Sequence, residues 1–217
     1  MKISPAVLLG LGAVVLAASQ SQAAAPSPPR TAGGGSTHGR AEVPARQTGG
    51  NDAHAWTRSR YAAAVSVLRA LGLDDATARR VAIALVAQWA RETGWGRAEW
   101  GFNVGNIKAS NWAGDYHRLS DGSYYRSHAT LEDGVRDAIN LHRNARYGEA
   151  FNYLVSTGDP VGWYDRIMRA GYHPWSQAAL DEMRSIASRV DRDSVSGAGA
   201  WDVVGYCCAV AQQLGGL

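Results

Sequence analysis

The stretch Asp74 to Gly96, DDATARRVAIALVAQWARETGWG, constrains the fold more than any other part of this chain. Asp74 is a helix N-cap residue type, and about 100° per residue places Ala78, Val81, Leu85 and Trp89 in one narrow stripe. Arg79, Arg80 and Arg91 point elsewhere, so the stripe is the core-facing side of an amphipathic helix. Glu92 extends that stripe, lying seven residues after Leu85 and three after Trp89. Gly94 and Gly96 then end the helix, since glycine enters left-handed backbone without steric cost.

A carboxylate at this position is disfavoured twice. Burial penalises its charged form, and the negative end of the helix dipole repels it. Both effects favour the protonated acid, the form that general-acid chemistry uses. Periodicity alone favours a charge that reaches solvent at a fraying helix end, pairing with Arg91 or Arg97.

Around this helix the pattern is orderly. Tyr61, Val65, Leu68 and Leu71 predict a preceding helix over 55–71 that ends at Gly72. After the acid comes an irregular loop, GFNVGNIKASNWAGDY, and then RLSDGSYYRSHA, two short strands around Asp121-Gly122. Glu132 and Asp133 suit the first turn of a further helix.

Taken together, Glu92-Thr93-Gly94-Trp95-Gly96, Asn103-Val104-Gly105-Asn106-Ile107-Lys108, Trp112-Ala113-Gly114-Asp115-Tyr116, the hairpin, YYRSHATLEDGVRDAINLH, Arg146-Tyr147 and Ala170-Gly171-Tyr172-His173 form an ordered series. Over about residues 80–175 this series resembles the bacterial and phage glucosaminidases, peptidoglycan hydrolases of glycoside hydrolase family 73 in the lysozyme-like superfamily. The resemblance implies a mainly α-helical, α+β domain with a small β-hairpin lobe beside a groove. It implies hydrolysis of the β-1,4 glycan of peptidoglycan without metal or cofactor, with Glu92 as catalytic acid. N-acetylmuramidase or lytic transglycosylase chemistry on the same fold is the alternative, as is a virion protein in which wall binding outweighs catalysis. Tyr172 matches a groove tyrosine. Asp115 is the preferred second acid, although the family's usual Thr-Glu-Tyr context is missing and the substrate's own acetamido group can replace a partner. Trp95, Asn103, Asn106, Ile107, Lys108, Trp112 and Tyr124 are the expected substrate-binding residues. Gly105-Asn106 stands where Phe-Gly is commoner, which changes that wall of the groove.

The ends of the chain read differently. One lysine precedes an apolar run at 5–18, followed by small residues through Ala25, so residues 1–25 read as a signal peptide or an N-terminal membrane anchor. Export to the periplasm, envelope or medium is expected, with a virion or membrane-anchored location as the alternative. Residues 26–53, rich in Gly, Pro and Ser, predict a flexible linker to a domain at 54–192. A break at 191–200 precedes a C-terminal tail at 193–217, readable as a docking helix.

Composition narrows the function. The chain has 217 residues, room for one ordinary domain plus tails, with eight Trp and nine Tyr against two Phe. Rings with a polar edge suit a half-wet groove. The net charge of +3 comes from scattered basic residues and gives no stripe for nucleic acid. No HExxH-type spacing supports a zinc amidase, and Cys207 and Cys208 follow every histidine, unlike a papain-type Cys/His site.

Overall fold

The computed structural model describes residues 41–110 and 112–195. The expected leader at 1–25, most of the linker and the tail helix lie outside them. Within them are six helices, α1 (Ala53–Ala70), α2 (Asp75–Thr93), α3 (Leu131–Arg143), α4 (Gly148–Thr157), α5 (Pro160–Arg169) and α6 (Gln177–Val195). One antiparallel hairpin, β1 (Tyr116–Arg118) with β2 (Tyr124–Arg126), completes the described elements. This is the mainly helical α+β class expected. No helix among the described residues is long and apolar enough to cross a membrane.

Helix α2 is the central element, packed against α1, α4, α5 and α6. Asp74 caps it through the Thr77 amide. Ala78, Val81, Leu85 and Trp89 are fully buried, and Gln88 is buried with them. The stripe read from periodicity is therefore the core face, and Glu92 leaves the core at its end.

The hairpin register pairs Tyr116 with Arg126 and Arg118 with Tyr124, and Asp121 shapes the turn by accepting the Ser123 amide. Arg126 donates to both oxygens of Asp137 on α3, at 2.7 and 2.9 Å, which fastens the hairpin to the helical body. Burial alone would raise the Asp137 carboxyl, but His128 and Arg126 beside it hold it below the usual range.

Two boundaries differ from the expectation. Residues 41–52 belong to the fold rather than to a flexible linker. Tyr116 donates its amide to Ala41 and accepts from Val43, Gly101 donates to the Arg46 carbonyl, and Thr48 donates to the Glu99 carbonyl. The segment is held by backbone hydrogen bonds, which polar composition does not reveal. At the other end, the residues read as a break continue α6 to Val195.

Candidate active site

The end of α2 is an unusual piece of backbone. Gly94, Trp95 and Gly96 follow one another with φ of 57°, 61° and 86°, and the Trp95 amide reaches back to the Ala90 carbonyl. Gly96 is required by space as well, because a Cβ there would lie 2.2 Å from Cδ1 of Trp56. Phe102 and Asn106 also have positive φ, at 53° and 48°. Each such non-glycine residue costs roughly 1–2 kcal/mol, so surrounding contacts must over-determine the turn. Two of these residues bear on Glu92: Trp95 follows it by three positions and Asn106 bonds its carbonyl.

One of those contacts is the Asn106 side-chain amide, which donates to the Glu92 carbonyl at 2.6 Å. That carbonyl is one of the unpaired acceptors at the helix end, and Asn106 is a residue type that tolerates left-handed backbone. The loop after α2 is thus clamped onto the residue that carries the acid.

The Glu92 side chain is 15% exposed. Its Oε1 lies 2.8 Å from Nε2 of His173 and 3.7 Å from Nη1 of Arg91. The acid therefore neither frays into solvent nor pairs with Arg97. Its hydrogen-bond partner is a histidine delivered from between α5 and α6. Arg91 is itself held by Glu182 at 2.9 Å.

His173 and Tyr172 are positioned by Arg146, whose Nε and Nη2 donate to the carbonyls of Ala170 and Gly171 at 2.7 and 3.0 Å. The Tyr172 hydroxyl is buried and accepts from Gln88 Nε2 at 2.5 Å. Its ring packs edge-on against Tyr147 and His173. Burial first, and then the Glu92 charge, push this phenol well above its ordinary value, so it stays a neutral donor. Burial, with Glu92 adding to it against the pull of Arg91, likewise raises the Tyr164 hydroxyl to about 12. The structure thus brings Glu92 and Tyr172 together and adds His173, Gln88 and Arg91.

Other expected residues go elsewhere. Asn103 is 1% exposed, and its amide both donates to and accepts from the Ile107 backbone. Ile107 is buried as well. These two are corrected from groove wall to internal braces, because a loop without regular pairing must satisfy its backbone from side chains. Trp95 packs edge-on against Trp56 and carries the Arg189 guanidinium 4.0 Å from its ring centre, so that face is occupied. Trp112 folds back on the hairpin, donating to the Asp115 carbonyl under the Arg126 guanidinium. Lys108 is exposed and bridges to Tyr125, while Tyr124 is 43% exposed. Asp115 accepts the Ala41 amide at 3.3 Å and braces the hairpin base through its carbonyl.

Among the described residues no group of three or more His, Cys, Asp or Glu is arranged to hold a metal ion. The other acid near the turn, Glu99, is fully buried and consumed by Arg60, Trp56 and Thr48. Periodicity gave no signal for His173, because its contact with Glu92 spans 81 residues.

A comparison with solved structures finds the C-terminally truncated glycoside hydrolase domain of FlgJ from Salmonella typhimurium, 18% identical, with a TM-score of 0.48 over 65% of this chain and 99% of that one. No protein-family model matches the chain. No curated protein matches it either.

Proposed function

We propose that this protein is a lysozyme-like peptidoglycan glycosidase that cleaves the β-1,4 glycan strand with Glu92 as general acid. The observation that carries the reading is the mostly buried carboxyl group at the strained end of α2, 2.8 Å from His173 and close enough to Tyr172 for its charge to act on that phenol. The ordered motifs from Glu92 to His173 support it independently.

In this reading the Glu92 proton passes to the glycosidic oxygen, and the bond from that oxygen to the anomeric carbon breaks. The leaving sugar keeps the proton as a hydroxyl. Positive charge develops on the anomeric carbon and is relieved by the acetamido oxygen of the same sugar. Water then opens that adduct and returns its proton to the Glu92–His173 pair, which restores the resting site. Asp115 is not required for any of these steps. Its tie to Ala41 supports a bracing role and favours the single-acid form.

Cleavage after N-acetylglucosamine is the first choice, cleavage after N-acetylmuramic acid or lytic transglycosylation the second. The apolar run at 5–18 and the small residues after it support a place in or beyond the cell envelope, or anchoring to its membrane.

The deciding experiment follows turbidity of purified cell walls with wild type and Glu92→Gln, and identifies the new chain ends by mass spectrometry. Removing a general acid lowers the rate about 10²–10⁴-fold. Equal clearing by the two proteins ends the assignment. Reducing-end N-acetylglucosamine, reducing-end muramic acid and 1,6-anhydro ends separate the three chemistries.

A further inference from the structure

Two large apolar side chains stand out as exposed among the described residues, Tyr124 at 43% and Trp175 at 49%. Trp175 lies in the segment between α5 and α6, two residues beyond His173. Two residues span at most about 7 Å of chain, so the Trp175 backbone lies within that reach of His173, whose side chain bonds the acid. Pro174 between them stiffens the connection and favours extended backbone at His173.

The ring is exposed yet held. Its Nε1 donates to Oδ1 of Asp165 at 2.7 Å, and the other oxygen of Asp165 accepts Nε of Arg169 at 2.8 Å. The Arg169 guanidinium sits 5.4 Å from the indole centre. The bond from Arg169, reinforced by that from Trp175, holds the Asp165 carboxyl below its usual range, so the anchor remains charged through neutral and mildly acidic pH. Core packing does not account for this arrangement, because half of the ring is left in water. An aromatic face fixed in advance loses little freedom when a ligand arrives, which is the property of a binding platform.

We propose that Trp175 is a stacking platform for a sugar of the glycan strand beyond the bond presented to Glu92. This rests on the glycosidase reading above. The ligand class follows from the chemistry: the apolar face of an N-acetylated hexose lies on the exposed indole, and its hydroxyls remain in water beside Asp165 and Arg169. Tyr124, the other exposed ring, accepts the Ala109 amide through its carbonyl, in the loop whose Asn106 clamps the Glu92 carbonyl.

The test uses the full chain carrying Glu92→Gln, so that binding is read without cleavage. Two probes are compared, soluble β-1,4 N-acetylglucosamine hexamer by calorimetry and intact sacculi by co-sedimentation. Trp175→Ala should weaken both about tenfold, the scale of one lost aromatic contact, and Trp175→Tyr should recover most of it. Thermal melting of each variant confirms that the comparison is between folded proteins. Parent-like binding by Trp175→Ala overturns the platform while leaving the glycosidase reading intact. Weakening on sacculi alone makes the occupant a stem peptide and overturns it too, as does a folded Trp175→Tyr that binds no better than the alanine variant. If the parent binds neither probe, the glycan reading fails and the platform with it.

Discussion

Replacing Glu99 by glutamine should cripple stability, although the same change at Glu92, seven residues earlier, should leave it nearly untouched. Glu99 is fully buried, and Arg60 is 6% exposed. One Glu99 oxygen accepts Trp56 Nε1 at 2.8 Å and Arg60 Nε at 3.1 Å; the other accepts the Thr48 hydroxyl at 3.0 Å and Arg60 Nη2. Glutamine keeps the shape but places an amide NH2 against donors in either orientation. It also leaves the Arg60 guanidinium charged, buried and unpaired. Removing one partner of a buried pair costs about 3–5 kcal/mol. At roughly 2–4 °C per kcal/mol for a domain of this size, the melting temperature should fall by about 6–20 °C. The damage should reach the site, because the same carboxylate orients Trp56, on which Gly96 closes the turn after Glu92. Glu92→Gln keeps the shape and a hydrogen-bonding group beside His173 at a position partly open to solvent, so its net change should stay within about 1 kcal/mol. Thermal unfolding followed by circular dichroism reads both variants. A Glu99→Gln protein that melts within a degree or two of wild type would refute the reasoning about the buried pair.

Two further outcomes follow from the same geometry. His173→Ala removes the one side chain among the described residues within hydrogen-bond distance of the Glu92 carboxylate; a charge-assisted bond of roughly 1.5–3 kcal/mol corresponds to a fall of about ten- to a hundredfold in turnover of cell-wall substrate. His173→Gln should recover part of it, and an unaltered rate in both variants would remove His173 from the site. His142, fully buried between Tyr147, Trp163 and Tyr172, has its pKa lowered from 6.5 to about 3 by desolvation. The unfolded chain takes up that proton below about 6.5 while the folded one does not, so this contribution is intact above that pH and declines toward about 3. The slope is at most about 1.4 kcal/mol per pH unit, and His142→Phe should flatten it between pH 7 and 5 in thermal melts. An equal pH dependence in the variant would sink this account.

Which parts of this protein are legible in its sequence depends on the range of the interactions that make them. The core stripe of α2 repeats every turn, so Ala78, Val81, Leu85 and Trp89 declare the buried face, and Glu92 is conspicuous because it breaks the chemistry of the stripe without leaving its line. Gly94 and Gly96 are equally readable, since few other residues tolerate that turn. The environment of Glu92 is not local. His173 arrives from 81 residues away, and its placement is set by Arg146 gripping two carbonyls, a bond pattern with no periodic trace. The same reason explains the misread loop: Asn103 and Asn106 have identical composition signals, yet one is turned inward to the Ile107 backbone and the other outward to the Glu92 carbonyl. Residues 41–52 were hidden for a related reason, because their contribution is made by main-chain amides paired with the hairpin and with the 99–102 turn, which any polar sequence could supply. Sequence therefore points to Glu92, whereas the groups around its carboxyl emerge only when segments distant in the chain converge on the end of one helix.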